Sequence, residues 1–226
     1  MRVFVYIFSF FFCCWSLSAG AKDKDSTGVR PTKDLGLYIG GVYSLIQMDA
    51  QTYSIGDFTA AKPELNNKPG ILAGFCYNFY AGKKSIIRPA IEAMFLPATI
   101  TYQTEINYKR DQRIFPLTVE LPLSWIYSSY RTKSFPRAKG RPEFGLSLRP
   151  VVTVKPLNDL QPVLRPYNLN TDVFIGYPFA NDKSVTRVEL FYSHGWFDLI
   201  GESNDYRTAN IGRLTRNTAG LRLIFH

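Results

Sequence analysis

The chain has 226 residues, a formal net charge of +9 at pH 7, 46% hydrophobic and 15% aromatic residues, and three cysteines. A length of this order favours one domain over several. Beyond the N-terminal run considered next, no stretch approaches the length of apolar sequence that a helical membrane span needs, and the cations are scattered where a nucleic-acid track would gather them into a stripe.

At the N-terminus, Arg2 precedes the uncharged run Val3 to Leu17, and small residues follow at Ala19-Gly20-Ala21. Cationic n-region, apolar h-region and A-x-A site predict a signal peptide over 1–21, with cleavage after Ala21. The run is shorter than the roughly 20 apolar residues of a transmembrane helix. Cys13 and Cys14 follow Phe10-Phe11-Phe12 instead of the small residues of a lipoprotein signal, so no lipid anchor is expected. The polar stretch 22–34 reads as a flexible periplasmic segment, and 35–226 as one domain. Only Cys76 remains after cleavage, so no intrachain disulfide can form. An exported protein does not meet nucleic acid, which removes it as a partner.

Eight segments then alternate with period two. From Leu35, residues Leu37, Ile39, Tyr43 and Leu45 face one way and Gly36, Tyr38, Gly40 and Ser44 the other. The second carries Ala73, Phe75, Tyr77 and Phe79 opposite Gly74, Cys76 and Asn78. In the third, Ile87, Ile91, Ala93 and Phe95 oppose Arg88, Ala90 and Glu92. The fourth runs from Phe115 through Leu117, Val119, Leu121 and Leu123 to Trp125, against Thr118, Glu120 and Ser124. Phe144 to Val154, Leu169 to Tyr177 and Val188 to Tyr192 follow in the same manner, with Arg149, Asp172, Arg187 and Glu189 on their polar faces. The last, Ala219-Leu221-Leu223-Phe225 against Gly220, Arg222 and Ile224, closes on an aromatic, as outer-membrane barrels usually do.

Eight is an even number that closes a small bacterial outer-membrane barrel, and each segment is long enough to cross as a tilted strand. A soluble barrel shares the alternation but would turn its charges outward. Here the polar faces hold Arg88, Arg149, Arg187 and Arg222 against Glu92, Glu120, Asp172 and Glu189, a balance suited to a narrow lumen in which each charge needs a partner. The expected fold is an all-β, eight-stranded antiparallel transmembrane barrel filled by side chains. Its expected site is this ion-pair network.

Short turns at Ala81-Gly82-Lys83-Lys84 and Asn181-Asp182-Lys183 are expected to be periplasmic, as are both termini, and the long loops external. The connection Ser128 to Pro142 departs from that pattern, because it is long and carries Arg131, Lys133, Arg137, Lys139 and Arg141 with no acid. It reads either as a solvated basic loop or as a contact for an anionic head group or periplasmic partner. No G-x-S-x-G, phosphate loop or metal-spaced Cys/His cluster is present. Ser193-His194 with Glu189 offers the residue types of a hydrolase, but neighbours on a strand point to opposite faces. No enzymatic activity and no cofactor are expected. About eight strands enclose little more than side chains, so no water-filled pore is expected either.

Several segments resemble the PorT/SprT family of outer-membrane barrels: Ser85-Ile86-Ile87-Arg88-Pro89, Phe115-Pro116-Leu117, Arg141-Pro142 with Gly145, Arg187-Val188-Glu189-Leu190, and Arg213-Leu214 through Arg216-Asn217 to Leu221-Arg222-Leu223-Ile224-Phe225. The resemblance spans most of the chain after 21. It implies an accessory barrel of a type IX protein secretion apparatus, linked to gliding motility, with outer-membrane lipid and other secretion proteins as partners. It carries over no catalytic residue. The alternative is a free-standing small barrel that binds ligands or surfaces through its external loops.

Overall fold

The structure, a computed structural model, describes residues 34–50, 53–55, 58–60, 63–81, 84–103, 109–114, 117–128, 142–154, 165–181, 184–200 and 211–226. The expected signal peptide over 1–21, the rest of the segment before Asp34 and all five basic residues of the 128–142 connection lie outside them. The strands are β1 (Asp34–Ala50), β2 (Tyr53–Ile55), β3 (Phe58–Ala60), β4 (Glu64–Asn67), β5 (Pro69–Tyr80), β6 (Ser85–Phe95), β7 (Ala98–Gln103), β8 (Lys109–Ile114), β9 (Leu117–Glu120), β10 (Leu123–Ser128), β11 (Glu143–Val154), β12 (Tyr167–Asn181), β13 (Ser184–Gly195) and β14 (Ile211–Phe225).

Nine of these form one antiparallel sheet in the order β10-β11-β12-β13-β14-β1-β5-β6-β9, and the further pairings β10–β6 and β11–β9 close it into a ring. The expected fourth strand is split. β9 and β10 each pair β6 on one side and β11 on the other, so together they make one position in the wall, and the ring has eight. The break at Leu121-Pro122 has a simple cause: proline brings no N–H to the ladder. The backbone is still served across the break, because Leu121 N donates to Pro150 O and Ala90 N donates to Pro122 O.

The pairing fixes the geometry of the ring. Ser44 lies opposite Thr218, Thr218 opposite Ser193, Ser193 opposite Asp172, Asp172 opposite Ser147, Ser147 opposite Ser124, and Ser124 opposite Arg88. The β5–β6 register sets Arg88 beside Asn78, whose β1 partner is Asp34. One circuit therefore returns to β1 ten residues from its start. For eight strands about 4.8 Å apart, that shear corresponds to a tilt of about 40° and a backbone radius of about 8 Å, a wall that encloses side chains and little else.

Alternation sorts the two faces as expected. Each wall position presents at least one large apolar side chain roughly half exposed: Ile39, Phe75, Ile91, Trp125, Leu146, Val173, Leu190 and Leu221. Among the described outward positions of β5, β6 and β9 to β13 there is no Asp, Glu, Lys or Arg. A continuous uncharged belt of this kind is not what a soluble surface carries. Exposed Tyr167 and Tyr177 stand ten residues apart on β12. At about 3.3 Å per residue and about 40° of tilt they bracket about 25 Å along the axis, the height of the apolar band of a transmembrane barrel.

Inside, Tyr38, Val42, Leu72, Ile86, Met94, Ile126, Phe174, Phe191 and Ile224 belong to one buried cluster. Three inward aromatics lie over the glycines directly across from them: Tyr38 over Gly74, Phe174 over Gly145 and Phe191 over Gly220. Each glycine gives up a side chain so that a ring can lie flat against the wall, which lets a narrow lumen hold aromatics at all. The end of the ring from which β1 and β14 lead on to Ala50 and Ile211 has a second cluster, formed by Ile46, Ala98, Ile100, Leu199, Ile211 and Leu214. There β4, β7 and β8 form a small sheet of their own, where the lengths of the connections predict external loops.

Candidate functional site: the charged lumen

All eight charged residues expected to line the lumen, Arg88, Glu92, Glu120, Arg149, Asp172, Arg187, Glu189 and Arg222, point inward and are at most 4% exposed. Two more join them, Glu143 and Arg216. Five arginines thus meet five carboxylates among the described residues, and the interior is neutral. Such a balance is close to obligatory, because an unpaired charge sealed from water costs several kcal/mol.

Arg149 on β11 is the centre of one group. Its Nη1 donates to Glu92 Oε1 at 2.6 Å and Glu120 Oε2 at 2.8 Å, its Nε donates to Asp172 Oδ2 at 2.9 Å, and its Nη2 also donates to Asp172 Oδ2. The register shows why one arginine must reach so many acids. Glu92 and Glu120 stand directly opposite each other on neighbouring strands, a like-charge pair that destabilises a sheet unless a cation bridges it. Arg216 completes Glu120 from across the lumen, Thr118 Oγ1 donates to Glu120 Oε1 at 2.7 Å, and Tyr38 Oη donates to Glu92 Oε2 at 2.9 Å.

A second group lies toward the end of the barrel with short turns. Arg88 pairs with Glu189 and donates through Nε to Asn78 Oδ1 at 2.9 Å. Arg187 donates to Glu143 Oε2 at 3.0 Å and to His226 Nε2 at 2.8 Å. An arginine only donates, so His226 must offer a lone pair there and is neutral. Its pKa is pushed down to about 3 by burial and by the neighbouring Arg187 and Arg88.

Arg222 lies between the groups. Its nitrogens are 3.8 Å from Glu92 Oε2, 3.8 Å from Asp172 Oδ2 and 3.9 Å from Glu189 Oε2, and its guanidinium lies 4.2 Å over the Phe191 ring and 5.6 Å over that of Phe174. The aromatic faces supply part of the attraction that looser ion pairing leaves out.

The hydrolase constellation is not assembled. Ser193 is fully buried in the lumen wall, whereas His194 faces outward with its ring edge-on to Trp196. Cys76 is a free thiol buried in the lumen. No group of three or more His, Cys, Asp or Glu residues with metal-binding geometry occurs among the described residues.

A closed ring with lipid-facing apolar belt and charge-filled interior defines the class: an eight-stranded antiparallel transmembrane β-barrel with a narrow, side-chain-filled lumen. No family model matches the sequence, and no curated protein is significantly similar to it. Among solved structures, the chain is similar to the outer-membrane protein OprG from Pseudomonas aeruginosa, with 12% identity, a TM-score of 0.42, and coverage of 86% of this chain and 97% of that one.

Proposed function

We propose that this chain is an accessory barrel in a bacterial outer membrane, part of a protein secretion apparatus similar to type IX secretion, which supports the export of cargo without conducting it. The observation that carries the second half of this reading is the plugged lumen. Ten buried charged side chains bridge the barrel from wall to wall, and a polypeptide could pass only by breaking pairs that each cost kilocalories to open. The apparatus itself is proposed from the resemblance to the PorT/SprT family. The expected partners are outer-membrane lipid around the belt and other secretion proteins at the ends, with both termini periplasmic.

Three experiments test this. The mature protein should fractionate with the outer membrane and migrate differently before and after heating, because a closed barrel resists detergent until melted. Mild-detergent purification should recover other envelope proteins with it, and deleting its gene should block export of many cargo proteins. Intact export in the deletion strain would leave the second reading, a free-standing barrel that binds ligands or surfaces. The sheet β4-β7-β8, built on its own apolar cluster beyond the belt, is the feature that favours it.

A further inference from the structure

One side of the lumen is built from small polar side chains. Ser147, Asp172, Ser193, Thr218 and Ser44 are consecutive cross-strand partners over β11, β12, β13, β14 and β1, and Asn170 is the next inward residue of β12. All six are at most 3% exposed. Yet the hydroxyls of Ser44, Ser147, Ser193 and Thr218, both amide atoms of Asn170, and Oδ1 of Asp172 have no hydrogen-bond partner in the protein. Arg222 beside them leaves Nε and Nη2 unpartnered, with its carboxylates beyond hydrogen-bond reach. Native interiors leave few such groups unsatisfied, and here most of those among the described residues lie on these seven side chains.

We propose that this wall is the seat of a buried water cluster, a built-in ligand that completes its hydrogen bonds and links Arg222 to its carboxylates. The chemistry of the orphan atoms selects the occupant. They mix donors (Arg222, the Asn170 amide N–H) with acceptors (Asp172 Oδ1, the Asn170 carbonyl) and hydroxyls that do either, so the ligand must donate and accept equally. It must be neutral, because five arginines already balance five acids and an added ion would undo that balance. It must be small, because neighbouring wall positions are about 4.8 Å apart, a gap one water spans by bonding to both sides. Contacts of 3.8 to 3.9 Å from Arg222 are likewise of the length across which a water mediates.

The test uses the full-length mature protein in detergent micelles. Thr218→Val keeps the volume and removes only a hydroxyl. If water is bound, the change strands a water and the melting midpoint of the barrel should fall by about 2 to 6 °C, on the scale of about 2 to 4 °C per kcal/mol for a chain of this size. On a dry wall the same change removes a desolvated hydroxyl, and the midpoint should rise. Water-to-protein NMR cross-relaxation supplies the second measurement: long-lived water signals should reach the amides of Ser193 and Thr218 in the parent and weaken in the variant. A midpoint that rises or stays level, or a parent without those water signals, overturns the proposal.

Discussion

Among the described residues, the single side chain of Arg149 holds three carboxylates at once. Its removal would leave Glu92 and Glu120 facing each other unbridged, so Arg149→Leu should cost at least the about 3 to 5 kcal/mol typical of breaking a buried pair, read as a lower urea midpoint for barrel unfolding. His226 makes a different prediction. Its folded-state pKa of about 3 lies below the ordinary 6.5, so the unfolded chain takes up the proton first as pH falls. Its contribution to stability is complete above about pH 6.5 and drains away as pH falls toward 3. The loss of stability between pH 7 and pH 4 should therefore be smaller in His226→Gln, whose side-chain oxygen can still accept from Arg187. Eight of the ten buried charges were legible from alternation alone. Arg216 was not, because Arg216, Asn217 and Thr218 are all buried and break the period-two rule that locates strands. Glu143 escaped because it stands one residue ahead of the apolar run at Phe144, where a boundary read from hydrophobicity falls short.

At the level of the strand, the inward rings and their glycines determine how closely the wall can pack. A Cβ built on Gly145 would meet the Phe174 ring at 2.1 Å, so Gly145→Ala should force the ring out of place at a cost of about 1 to 3 kcal/mol. Gly41 points outward with nothing within 4 Å, and Gly41→Ala should leave the melting midpoint nearly unchanged. Thermal melts of the two variants side by side check both. All eight wall positions were foreseeable, since polar and apolar residues alternate cleanly where one face meets lipid and the other a lumen. Which ring would cover which glycine was not. Those pairs join strands distant in sequence, and their register depends on the shear of the whole ring, which no local window contains. The break at Pro122 was concealed by the unbroken alternation around it.

At the scale of the molecule, the inside-out distribution of charge is the main constraint. Leu190 is 59% exposed near the middle of the belt, and Leu190→Arg would place a cation in lipid at a cost of about 2 to 4 kcal/mol. Less folded barrel should be recovered from the outer membrane, measured as the heat-modifiable fraction. The topology can be checked independently: a tag at Ser54 should be reachable from outside intact cells and one at Arg137 should not.

The distribution of the buried charges along the chain has a consequence for assembly. Strands β6, β9, β11, β12 and β13 carry all five acids but only Arg88, Arg149 and Arg187, while β14 brings Arg216 and Arg222 and no acid. A barrel lacking only β14 would have two uncompensated negative charges lining its interior, and would have to keep that interior wet. Docking of the last strand, which also seals the wall against β1, is thus the step that neutralises the lumen. Closure and dehydration become one event, and a chain with a faulty final strand would be arrested open, as a hydrated and protease-accessible sheet.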